Sequence, residues 1–144
     1  MGPIRRILVA VDFSEHSARA VGVATELAKA LGAALHVVHG FDLRVPMLTP
    51  YEVAIPESYI VLSREAATQR LAEVVDKIEE RGVTAQPHLA DASGAPAIAY
   101  TAERIEADLI VMGTRGNTGL KHLVLGSVAE RTLRLAPCSV LSVK

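Results

Sequence analysis

The chain has 144 residues, half of them hydrophobic, with three Tyr, two Phe and no Trp, and its 15 basic and 16 acidic residues nearly cancel. That length suits one domain, which at this size buries roughly 70% of its unfolded surface and needs neither disulfide nor metal to hold a core. Near-neutral charge excludes a general electrostatic attraction to nucleic acid or anionic lipid, so any anion has to be bound locally. The core must be built from Ala, Val, Leu and Ile, the makeup of helices packed on a parallel sheet.

Ile4 to Val11 is a near-continuous aliphatic run and reads as a strand buried on both faces. Ser14 follows as an N-cap, and Ala18, Val21, Ala24, Leu27, Ala28 and Leu31 recur at helical spacing until Gly32 stops the helix. Leu35 to His39 gives a second strand. The segment from Asp42 to Pro56 carries Pro46, Pro50 and Pro56 without a period and reads as a long loop, whose Met47, Leu48, Tyr51 and Val53 suit a packed loop or a lid. Glu57 to Arg81 is helical, closing at Gly82. Val83 to Ala90 is a more polar strand, and Pro87 places it at a sheet edge, since proline lacks the N–H a second neighbour would need.

Gly94 and Pro96 open a third helix running to about Glu106. Asp108 to Gly113 is a fourth strand, Gly126 to Leu135 a fourth helix, and Cys138 to Val143 a final strand. Strands alternating with helices imply an α/β fold, an open doubly wound parallel sheet with right-handed crossovers and helices on both faces. In such sheets ligands sit beyond the carboxyl ends of the strands where the strand order reverses, so Asp12 and Gly113 mark the place to look. With no linker or internal repeat, residues 1–144 are expected to form a single domain.

The lone Cys138 excludes an intramolecular disulfide and reads as a small apolar residue. No stretch approaches the ~20 apolar residues of a membrane span, and the run after Arg5 and Arg6 is too short for a signal peptide, so a cytoplasmic location is expected. The five histidines lack metal-ligand spacing, so no metal site is expected. Neither a nucleophile elbow nor a phosphate-loop lysine motif is present, so no catalytic residue is assigned.

The densest chemical signal follows the fourth strand. Gly113, Gly116 and Gly119 fall within seven residues, and Gly126 immediately precedes Ser127 and a helix. Glycines allow close backbone approach to a ligand, and a helix N-terminus supplies free N–H groups and partial positive charge. Gly116, Gly126, Ser127 and Val128 therefore read as a phosphate cradle, with Lys121 and His122 at its rim. The connecting loop, Thr114 to Leu125, is about twelve residues, twice the usual upper length of such a connection.

Gly113, two residues, Gly116, nine residues, Gly126 and Ser127 fit the G-x2-G-x9-G-[S/T] pattern of the ATP-binding universal stress proteins without a gap. The chain resembles that family along its length, through ILVAVDFSEHS, LHVVHGFD, GAPAIAYTAERIEADLIVMGTRG and GSVAERTLRLAPCSVLSVK. The resemblance implies a sheet of order 3-2-1-4-5 like that of the adenine nucleotide alpha hydrolases, and a homodimer joined through the last strand. It also implies ATP, with or without Mg2+, between strands one and four. By position, Ala10, Val11 and Asp12 would contact the nucleoside, with Asp12 on the ribose hydroxyls. Gly40 would meet the adenine through its backbone, standing where members often have an aliphatic residue. Met112 and Gly113 would line the site, and Gly116, Gly126, Ser127 and Val128 would hold the phosphates. The family implies a nucleotide-dependent role in stress response or signalling, read by an unknown protein partner. The alternatives are a slow ATP hydrolase or phosphotransferase, and a nucleotide-free interaction module of the same fold.

Overall fold

The computed structural model describes residues 2–42, 55–115 and 125–144. Five strands and four helices alternate along the chain: β1 Arg6–Ala10, α1 Glu15–Leu31, β2 Ala34–Gly40, α2 Glu57–Glu79, β3 Ala85–Ala90, α3 Gly94–Arg104, β4 Leu109–Gly113, α4 Ser127–Leu135 and β5 Ser139–Val143. The sheet is parallel throughout, in the order β3-β2-β1-β4-β5. The expected loop residues Met47, Leu48, Tyr51 and Val53, together with Gly116, Gly119, Lys121 and His122, lie outside the described residues.

Local chemistry sets the element ends. The Ser14 hydroxyl accepts from the Ser17 amide at 3.2 Å, capping α1, and Gly32 ends the helix at φ 64°, where a side chain would be strained. Three helix ends fall short of the lengths expected. The chain leaves α2 at Glu79 through a turn closed by Gly82 at φ 82°, and leaves α3 at Arg104 with Glu106 at φ 52°. Gly126 stands outside α4 as its N-cap. The first strand also contracts, from Ile4–Val11 to Arg6–Ala10, although the Val11 amide still donates to the Val38 carbonyl at 2.9 Å.

Both sheet faces are covered, which is why the central strands are apolar without alternation. Ile7, Val9, Leu35, Val37 and Val111 pack against the Ala20, Ala24 and Ala28 edge of α1 and against Leu71, Val75 and Ile78 of α2. Leu8, Val38, Ile110 and Met112 face Ile98 and Ala102 of α3 and Ala129 of α4. Each large side chain removed from water in this way contributes about 1.5–3 kcal/mol. Pro87 lies on β3, paired with Val37 of β2 and with no strand beyond it, as its missing N–H requires.

One polar pair interrupts the second face. His36 of β2 and His88 of β3 meet with Nδ1 and Nε2 2.9 Å apart, and the Arg104 guanidinium lies 3.1 Å from His88 Nδ1. Arginine can only donate, so His88 Nδ1 accepts and its Nε2–H donates to His36 Nδ1. Both rings are held neutral: burial lowers both pKa values, helped by Arg6 at His36, and by His36 and Arg104 at His88. The unfolded chain therefore binds more protons than the native one as pH falls below the ordinary histidine value of about 6.5. The resulting stability is fully present above that pH and is lost as pH falls through the lowered native values. Thermal denaturation between pH 7.5 and 5 is expected to show this loss, at most about 1.4 kcal/mol per pH unit for each histidine. A His36→Gln, His88→Gln double variant should show a flatter profile, and an unchanged slope would contradict the assignment.

Candidate functional site

Crossing from β1 to β4 in the middle of the sheet reverses the direction in which the chain winds, and a cleft of about 320 Å³ opens above that point. Ala10, Val11 and Asp12 enter it from the end of β1, Gly40 from the end of β2, and Met112 and Gly113 from the end of β4. Gly126, Ser127 and Val128 form its opposite wall at the start of α4. Gly116 lies outside the described residues.

The Asp12 carboxylate is oriented by its own neighbourhood. Its Oδ1 accepts from the Ser14 amide at 3.0 Å and from the Ser14 hydroxyl, so the residue that caps α1 also fixes the acid at the cleft. Next to it, Phe13 adopts φ 63°, a left-handed conformation that is a genuine outlier for an aromatic residue. Strain of this kind costs on the order of 1–3 kcal/mol and clusters at functional sites. It turns the Phe13 ring onto His39, 4.4 Å between centroids, while the His39 Nδ1 lies 2.9 Å from the Val11 carbonyl.

Backbone closeness explains three of the glycines. A Cβ on Gly113 would come within 3.1 Å of His16, and one on Gly126 within 3.0 Å of the Thr114 carbonyl, to which the Gly126 amide already donates at 2.6 Å. At Gly40 a Cβ would lie 2.6 Å from the Ala92 carbonyl oxygen. The space an aliphatic side chain would take there is filled by the backbone that leads into α3.

Two helix N-termini converge on the cleft. Gly126 gives α4 no side chain to cap its first amides, and Ser93, the residue before α3, makes no capping bond, while its hydroxyl donates to Asp42, 3.1 Å away. Ser93 and Gly94 line the cleft opposite Val128, whose Cγ2 is 3.7 Å from where a Gly94 Cβ would stand. Arg115, two residues past the end of β4, adds a cation. Free N–H groups, two helix dipoles and a guanidinium favour an anion there, while Val38, Ile98 and Met112 give the deeper part an apolar lining. Among the described residues Asp12 is the one carboxylate in the wall.

The α3 terminus and Arg115 are absent from the sequence-derived site. Gly94 was legible as the opening of a helix, but its place over the cleft depends on the crossover from edge strand β3 to β4. Arg115 lies inside the glycine pattern, and its charge so close to Gly113 and Gly116 was a readable signal.

Among the described residues no helix is long and apolar enough to cross a membrane, and no group of three or more His, Cys, Asp or Glu is placed to hold a metal ion.

Known proteins share this fold. The chain is 36% identical over 140 residues to a universal stress protein of Methanocaldococcus jannaschii, covering 97% of this chain and 82% of that one. A solved universal stress protein family structure from Burkholderia pseudomallei is 31% identical with a TM-score of 0.74, covering 99% of this chain and 98% of that one. The universal stress protein of Archaeoglobus fulgidus in complex with dAMP is 25% identical with a TM-score of 0.69, covering 99% of this chain and all of that one. The model of the universal stress protein family matches residues 3–144, and the chain belongs to that family.

Proposed function

We propose that the protein is an ATP-binding universal stress protein whose nucleotide occupancy is read by a protein partner. The observation that carries this reading is that one cleft is lined both by Asp12 and by the uncapped start of α4. In this reading Asp12 accepts from the ribose hydroxyls, and the backbone at Gly40 meets the adenine. Ala10 and Val11 contact the nucleoside, Met112 and Gly113 line the site, and Gly116, Gly126, Ser127 and Val128 hold the phosphates. The relative from Archaeoglobus fulgidus in complex with dAMP supports an adenine nucleotide as the ligand class. Mg2+ would arrive on the phosphates. Binding is favoured over turnover because Asp12, the one carboxylate of the described wall, is assigned to the ribose, leaving no described carboxylate beside the phosphates to orient water.

The reading extends to a homodimer in the cytoplasm. β5 is a sheet edge, and Leu141 on it and Leu133 and Leu135 on α4 are exposed apolar residues. Pairing two β5 edges would satisfy free backbone groups and cover this surface.

Freshly purified protein is expected to release an adenine nucleotide on denaturation. After stripping, Asp12→Ala should bind ATP at least tenfold more weakly than the wild type, about 1.4 kcal/mol. Equal affinities for the two proteins would remove Asp12 from the site.

A further inference from the structure

On the opposite face of the sheet a second cavity of about 390 Å³ lies between α1 and α2. Val11, Phe13, Ala18, Val21, Val74 and Ile78 give it an apolar interior. Its mouth is cationic: α2 brings Arg70 and Lys77 to one side, with Glu73 between them, and the turn after α2 adds Arg81. Across from them Ser14, the cap of α1, and Ser17, Gly22 and Thr25 within it line the cavity, none charged. Arg81 is paired with Glu26, but among the described residues neither Arg70 nor Lys77 has a carboxylate within ion-pair distance. The Arg70 guanidinium lies instead over the Phe13 ring, 4.1 Å from its centroid.

Gly22 provides an independent observation. A glycine inside a helix costs about 1 kcal/mol relative to alanine and calls for a packing or functional reason. Here its backbone is helical, and a Cβ would meet nothing nearer than Arg81 Nη1 at 4.0 Å. Neither backbone conformation nor close packing demands the glycine. What the missing side chain does is leave the groove open.

We propose that the α1/α2 groove is a second binding site, for an amphipathic carboxylate whose hydrocarbon body fills the apolar interior and whose head group meets Arg70 and Lys77. The volume lies within the range of small-molecule pockets, about 300–1,000 Å³. Arg70 and Lys77 outnumber the one lining carboxylate, Glu73, so the mouth favours an anion, and the missing side chain at Gly22 leaves room for an unbranched body. This site stands independently of the nucleotide reading, because its lining residues other than Val11 and Ser17 are not shared with the cleft.

The test uses 8-anilinonaphthalene-1-sulfonate as a fluorescent probe, with decanoate and decyltrimethylammonium as competitors. The native protein is expected to bind the probe saturably at one site per chain, decanoate to displace it, and the cationic amphiphile of equal chain length to fail. Gly22→Leu should fill the groove and abolish binding while melting no lower than the wild type. Arg70→Glu with Lys77→Glu, both exposed positions, should weaken decanoate at least tenfold. Gly126→Val, in the other cleft, should leave probe binding unchanged. Absence of saturable binding, equal displacement by the cation, or undiminished binding in Gly22→Leu would each overturn the proposal.

Discussion

Replacing Gly40 by alanine is expected to destabilise the protein by about 2–3 kcal/mol, the upper part of the range for inserting a methyl into a well-packed region. The obstruction is backbone, not a side-chain end that could swing aside. The new Cβ would lie 2.6 Å from the Ala92 carbonyl, 3.0 Å from Ser93 Cα and 3.2 Å from Ala97 Cβ. Relief requires moving the start of α3 away from the sheet, and Ile98 and Ala102 on that helix anchor the second core. For a domain of this size the transition should fall by roughly 6–10 °C. Gly40→Val should fall further. A melting temperature within 2 °C of the wild type for the alanine variant would show that the approach of residues 92 and 93 is not as close as described.

Gly126→Val is expected to remove the stabilisation that ATP confers, while the ligand-free protein still folds. Nucleotide at 100 times its dissociation constant should stabilise the wild type by about 2.7 kcal/mol, if it binds only the native state. In the variant the Cβ presses on the Thr114 carbonyl at 3.0 Å, and the added methyl groups occupy the approach to the free amides of Ser127 and Val128. The readout is the difference between melting curves with and without Mg·ATP, so any intrinsic effect of the substitution cancels. An equal shift in both proteins would exclude the start of α4 from phosphate binding.

Punctuation residues made much of this fold legible. Ser14 and Gly32 bracket α1 as a cap and a left-handed stop, and Pro87 marks an edge strand through its missing donor. Apolar runs without alternation announced strands covered on both faces, as Leu8 and Val9 show by packing against opposite helix layers. Strand order was not legible from periodicity: alternating elements imply a parallel sheet, and the order 3-2-1-4-5 came with the family resemblance.

The cleft was readable where its residues follow strands directly, as Asp12 and Gly113 do, because chain continuity fixes their place at strand ends. Gly94 and Ser93 were not, since the crossover of α3 decides what they face. The His36–His88 contact joins residues 52 apart on neighbouring strands and depends on the β2–β3 register, pairing His36 with Gln86 and Val38 with His88. The α1/α2 groove depends on how two helices pack, which no local pattern encodes. Gly40 stands where family members often have an aliphatic residue, and its physical reason is the backbone at Ala92 that already fills the space.

The central claim is that the cleft between β1 and β4 holds ATP. Equilibrium dialysis of stripped protein against labelled Mg·ATP tests it most directly, with Gly126→Val as the comparison. Saturable binding approaching one nucleotide per chain is expected in the wild type, and none at the same concentrations in the variant. No saturable binding by the wild type, or the same binding in both, would contradict it.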